Sequence, residues 1–177
     1  WEVTTLRSEG SYGDGRRPDQ VEFGQSIEDD LARRDFTINA MAIDSDGDVI
    51  DPYDGMSDLR AGVLRAVGEA SERLGEDGLR IMRAYRFLDS TGGMRNMESS
   101  LRSAVRGNLS MLDGVSRERI GMEMERILGG RNAGEVILQM HEDGVLEHVL
   151  PRIACTVSPS FCTDFLVNLA LLCSDDP

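Results

Sequence analysis

The residues most suited to chemistry lie in one stretch, Glu76 to Phe87, EDGLRIMRAYRF. Arg80, Arg83 and Arg86 recur at steps of three, and Asp77 stands three residues before the first of them. At about 100° per residue these arginines cover roughly a third of a helix circumference. Leu74, Ile81, Met82, Tyr85 and Leu88 fall on the other side, so the stretch predicts an amphipathic helix with an apolar back. Most charged stripes are solvated faces. This one is almost pure guanidinium, has no alternating acid to pair it, and runs against an acidic chain. An Asp–Arg pair can read a base edge. Cytosine and adenine present an amine beside an acceptor nitrogen, which a carboxylate and a guanidinium complement; guanine and uracil present the reverse. The plainer alternative for Asp77 and Arg80 is a surface ion pair worth a few tenths of a kcal/mol.

A second stretch, LARRDFTINAMA from Leu31 to Ala42, sets Arg33, Arg34 and Asp35 side by side ahead of Thr37 and Asn39. One reading is a helix end with surface charges. The other has one of the arginines on phosphate oxygens while the Asp and Asn hold ribose hydroxyls, because guanidinium forks suit phosphate and carboxylate or amide acceptors suit sugar. This string alone does not decide between them.

The elements that must position these groups change character along the chain. Trp1 to Arg7 alternates like a strand, and the Gly-, Ser- and Pro-rich residues 8–20 are loop chemistry. Val21 to Phe23 reads as a short extended piece. Ser26-Ile-Glu-Asp29 has the form of a capping box, predicting a helix from about Ser26 to Arg34. Ala40–Ile43 and Asp48–Ile50 flank a turn and predict a hairpin. DPYDGMSDLRAG predicts loop and a short helix, and Val63 to Val67 a further strand. From Ser71 strand signals vanish. Helices are predicted over about 71–90, 98–107, 116–129, 131–143 and 163–173. The expected fold class is α/β followed by all-α, with a boundary near Gly68: residues 1–67, a helical domain over 68–150, and the start of another helical domain over 151–177.

The chain has 177 residues and a formal net charge of −13, enough length for one full domain or two small ones. Its basic residues are all Arg. The acidic balance argues against broad non-specific nucleic-acid binding but allows a local phosphate site. Cys155, Cys162 and Cys173 match no zinc pattern and no even disulfide framework, so they read as free thiols of a cytoplasmic protein. His141 and His148 lack partners at ligand spacing and read as structural or surface groups. No signal peptide or membrane-length apolar run is present. Both ends read as cut, as in a piece of a longer protein.

LARRDFTINAMAID, DPYDGMSDLRAGVLRAVG, EDGLRIMRAYRF and SRERIGMEMERIL stand in order over roughly residues 1–150. Together they resemble the successive motifs of the class II (bacterial) tRNA nucleotidyltransferase and poly(A) polymerase family, which adds C, C and A, or A alone, to RNA 3′ ends. The resemblance implies part of a nucleotidyltransferase palm joined to a helical neck, with CTP or ATP and tRNA or another RNA 3′ end as partners. It matches Arg34, Asp35 and Asn39 to ribose and phosphate binding, Asp77 and Arg80 to an amino-acid template for the base, and Arg83 and Arg86 to the nucleotide site and its phosphates. Glu2 aligns with a third catalytic carboxylate, Asp51–Leu59 with a motif coupling head and neck movements, and Glu118–Leu128 with a supporting neck helix. The loop at Glu9–Arg17 matches one that members adding only CC have shortened. The resemblance also implies Mg²⁺, but the family's Gly-Gly turn and Asp-x-Asp metal pair are not in these residues. Glu2 alone cannot hold two ions. Such a chain is expected to act with its own N-terminal segment, or as a homo-oligomer. A non-catalytic nucleotide- or RNA-binding module and an acidic helical interaction domain are the competing classes. The same Asp–Arg template serves C and A, which leaves CCA-, A- and poly(A)-adding open.

Overall fold

The computed structural model describes residues 8–9, 21–22 and 26–150. The architecture is mostly helical with small two-stranded sheets. β1 (Ser8–Glu9), where loop was expected, pairs antiparallel with β2 (Val21–Glu22), which lies within the expected extended piece. The capping box is present: the Ser26 side chain accepts from the Asp29 amide at 3.2 Å and starts α1 (Ile27–Ala32). The helix stops two residues before the predicted Arg34. A short 3₁₀ turn, Thr37–Asn39, leads to the predicted hairpin of β3 (Ala42–Ile43) and β4 (Val49–Ile50).

α2 (Gly55–Ala61) begins where the Asp51 carboxylate accepts from the Gly55 and Met56 amides, at 2.7 and 2.9 Å. Gly55 lies flush on the 3₁₀ turn: a Cβ there would stand 2.1 Å from the Thr37 carbonyl oxygen. The buried Asp58 carboxylate then accepts from the Thr37 hydroxyl at 2.8 Å and pairs with Arg65. In this way the DPYDGMSDL stretch braces the turn that follows Asp35.

Two expectations need correction. β5 (Val63–Leu64) pairs in parallel with β6 (Asn96–Met97), so a strand does follow Ser71. It is held by Asn96 and Glu98 amides donating to the Gly62 and Leu64 carbonyls, and two residues carry no readable period. The helix predicted over 71–90 is two helices, α3 (Ala70–Glu76) and α4 (Leu79–Leu88), broken at Asp77, whose backbone is extended. Gly78 allows the break because its site is closed to any side chain: a Cβ would lie 2.3 Å from the Met111 carbonyl oxygen.

α5 (Ser99–Gly107), α6 (Arg117–Leu128) and α7 (Ala133–Glu142) match their predicted spans closely. A 3₁₀ stretch, Leu109–Gly114, and α8 (Val145–Val149) were not expected. α4 is central, burying Ile81, Met82, Ala84, Tyr85 and Leu88 mainly against α6. Phe36, Leu64 and Ala66 join the same apolar cluster as Leu101, Ile127 and Met140, so the core runs across Gly68. Among the described residues no helix is long and apolar enough to cross a membrane. Glu2, most of the Glu9–Arg17 loop, the three cysteines and the helix predicted over 163–173 lie outside the described residues.

Candidate nucleotide site

A cleft of about 290 Å³ opens where three segments meet. Arg33, Arg34 and Asp35 come from the end of α1. Asp77, Leu79, Arg80 and Arg83 come from the α3–α4 break and the first turns of α4, and Arg119 comes from α6. Five guanidiniums face two carboxylates here, a cationic locality in an acidic chain. Such a surface suits a polyanion.

Each group is held by identifiable contacts. Asp77 Oδ1 accepts from the Leu79 amide at 2.9 Å, covering one of the free donors at the start of α4. Its Oδ2 accepts from Arg119 at 2.7 Å. Asp77 and Arg80 therefore do not form the surface ion pair considered as the plain alternative. Arg80 pairs with Glu76, and its guanidinium also donates to the Arg73 carbonyl at 2.8 Å and the Arg33 carbonyl at 3.3 Å. Its side chain is 12% exposed, whereas that of Asp77 is 26% exposed. The Arg80 fork is thus fixed to the protein on one side and borders the cleft on the other.

Asp35 is used differently from its expected part. Oδ1 accepts from the Phe36 amide at 2.9 Å and from Asn39 Nδ2 at 3.0 Å. Oδ2 takes Arg83, with Nε at 2.6 Å. Both carboxylate oxygens are thus engaged. Asp35 anchors Arg83. Asn39 supports Asp35 and does not line the cleft. At the edge of the cleft the buried Asp30 receives both Arg33 and Arg34. Burial pushes the Asp30 carboxyl up, but the two guanidiniums outweigh it and hold it below its usual value.

Arg86 is absent from the cleft. It lies six residues beyond Arg80, about 9 Å along the helix and 120° around it. It meets the buried Glu123 of α6 and stacks over the Phe87 ring at 4.4 Å. Burial pulls its pKa down, with Glu123 opposing. The supposedly unpaired stripe is paired throughout: Arg80 with Glu76, Arg83 with Asp35 and Arg86 with Glu123. Asp35 and Glu123 come from distant segments, so the local sequence does not show them. Glu76, four residues before Arg80, was readable. Sequence reasoning assigned no part to Arg33 and missed Arg119, which is 42 residues from Asp77 and carries no local signal.

Among the described residues no group of three or more His, Cys, Asp or Glu side chains could hold a metal ion. Asp35 and Asp77 already bridge arginines, so they do not fit a Mg²⁺ pair. A second hollow of about 500 Å³, beside Leu112, Met124 and Leu150, is mainly apolar and gathers no comparable set of polar groups.

Two family models match the chain. The poly A polymerase head domain covers residues 1–65, and the probable RNA and SrmB-binding site of polymerase A covers residues 96–156. A CCA-adding enzyme of Lactiplantibacillus plantarum is 48% identical over 132 residues, 75% of this chain and 32% of that protein. One of Geobacillus stearothermophilus is 44% identical over 154 residues, 87% of this chain and 37% of that protein. The chain spans about a third of the length of these relatives. The crystal structure of the Bacillus stearothermophilus CCA-adding enzyme in complex with CTP superposes with a TM-score of 0.77. It shows 36% identity over 95% of this chain and 38% of that one. The Thermotoga maritima CCA-adding enzyme complexed with tRNA gives 0.67 at 31% identity, over 76% and 33%. With the four ordered motifs and the fold in agreement, this chain belongs to the poly(A) polymerase family that includes the bacterial CCA-adding enzymes.

Proposed function

We propose that this chain is the nucleotide-selecting part of a cytoplasmic, template-independent RNA nucleotidyltransferase that adds C and A to tRNA 3′ ends from CTP and ATP. The observation that carries the reading is the cleft itself. It brings Arg34, Asp77, Arg80 and Arg83 to one opening from segments far apart in sequence. Asp77 accepts from the exocyclic amine of C or A, and Arg80 donates to the adjacent ring nitrogen. Because Glu76 and two carbonyls already hold Arg80, little side-chain freedom is lost on binding. Arg83 and Arg34 meet the phosphate side. The relatives solved with CTP and with tRNA support both partners.

Mg²⁺ supplies the charge neutralisation that such transfer needs. By the family resemblance Glu2 would be the carboxylate of this chain that stands near it. Asn39 acts through Asp35, and Asp35 through Arg83.

The test uses the complete protein with Mg²⁺, CTP, ATP and a tRNA ending before CCA. Incorporation of C then A is expected, and no incorporation overturns the proposal. A product of A residues alone assigns the chain to poly(A) or A addition instead. Asp77→Ala or Arg80→Ala should relax the choice of C and A over G and U; unchanged choice removes the template from the reading.

A further inference from the structure

Arg119 is a cleft residue that the base-reading scheme does not use. It lies on α6, and its guanidinium meets Asp77 Oδ2 at 2.7 Å. Asp77 Oδ1 is meanwhile tied to the Leu79 amide at 2.9 Å. The carboxylate is thus gripped at both oxygens by groups from different elements, which fixes its plane as well as its position. Each oxygen keeps a further acceptor position for a ligand. The backbone contact by itself would leave the carboxylate free to swing about one hydrogen bond. Asp77 also sits in an extended residue between α3 and α4.

We propose that Arg119 is a positioning residue for base discrimination: by gripping Asp77 Oδ2 from α6, it aims the carboxylate at an exocyclic amine. The inference rests on Asp77 being the base reader. The bidentate-capable fork matters here, since a lysine ammonium is a point charge on a freely rotating stem. Arg119 therefore acts on C and A through Asp77. It should contribute little to features that all four nucleotides share, such as the triphosphate.

The test is equilibrium binding of CTP, ATP, UTP and GTP to the complete protein, for wild type, Asp77→Ala, Arg119→Ala, Arg119→Lys and the Asp77→Ala/Arg119→Ala double variant. Wild type is expected to prefer CTP to UTP. Asp77→Ala should abolish most of that preference, and Arg119→Ala should reduce it about tenfold, the scale of a hydrogen bond to a charged group. Arg119→Lys should fall between Arg119→Ala and wild type. In the Asp77→Ala background, Arg119→Ala should change discrimination no further.

If Asp77→Ala relaxes choice while Arg119→Ala does not, Arg119 has no aiming role. Equal weakening of all four nucleotides would make it a direct phosphate contact and overturn the proposal. If Asp77→Ala itself leaves choice intact, the base-reading scheme fails, and this inference with it. Should Arg119→Ala not fold, Arg119→Lys decides: discrimination equal to wild type overturns the aiming role.

Discussion

The first turns of α4 and its last turns carry similar groups in different surroundings. At the N-terminal end, Arg80 and Arg83, with Asp77 just ahead of the helix, border an open cleft while paired with Glu76, Asp35 and Arg119. At the C-terminal end, Arg86 meets Glu123, whose side chain is 4% exposed, and the Tyr85 hydroxyl donates at 2.9 Å to Asp143, whose side chain is fully buried. Asp143 also accepts from Arg102 and Arg106 of α5, each at 2.8 Å, and so joins α4, α5 and the end of α7. Pairs at both ends are largely buried, so breaking either strands a charge; the difference is that the N-terminal groups also border the cleft. One end of the helix is therefore anchorage, and the other is held in place but still open to a ligand.

The largest effect should come from Asp143→Ala. It leaves the buried Tyr85 hydroxyl without an acceptor and Arg106 without its carboxylate, while Arg102 keeps only Glu142. A loss of about 3–5 kcal/mol in unfolding free energy is expected, measured by denaturant titration. Nucleotide choice in the fraction that stays folded should be unchanged. A loss below about 1 kcal/mol would remove the contrast between the two ends.

Gly78→Ala should rank next, at about 2 kcal/mol, because a methyl group would press on the Met111 carbonyl and a backbone atom cannot swing aside. Unlike Asp143→Ala it should disturb both properties, since Gly78 follows Asp77 directly. A drop in stability with discrimination intact would show that Asp77 is positioned independently of the break.

How far this division was legible depends on the range of the contacts. Ser26–Asp29, the β3–β4 turn and the apolar face of α4 are local patterns, and all appear where the sequence placed them. The break at Asp77–Gly78 was not legible. Its cause is the Met111 carbonyl, more than thirty residues away, and the helical period of Leu74 and Ile81 continues through it. Asp77, Arg80 and Arg83 were chosen by residue type and spacing, and they do meet at the cleft. The partners that set their geometry, Asp35 for Arg83 and Arg119 for Asp77, lie 48 and 42 residues off. Arg86 stands apart from the cleft for the opposite reason. Its spacing fits the stripe, but the 120° fan turns it toward α6, where a buried acid waits.

The smallest effect concerns pH and the anchored end. Glu98 caps α5, the helix that delivers Arg102 and Arg106 to Asp143. Its carboxylate accepts from the Ser100 hydroxyl and from the Ser100 and Leu101 amides, at 2.9 and 3.2 Å for the amides. The Ser100 hydroxyl, followed by the two amides, holds its pKa below the usual glutamate value despite partial burial. A carboxyl depressed in the folded state stabilises fully above its unfolded pKa, about 4.3, and that contribution fades as pH falls through the lower folded value. Acid should therefore loosen the α5 cap only below about pH 4.3. Glu98→Gln keeps an acceptor but no charge, and should cost about 0.5–1 kcal/mol near neutrality. The gap between variant and wild type should then narrow in acid, as unfolding free energies measured across that range would show. A gap that stays constant with pH would mean that the cap acts by shape alone. Since α5 contributes no residue to the cleft, nucleotide choice should not change in the variant.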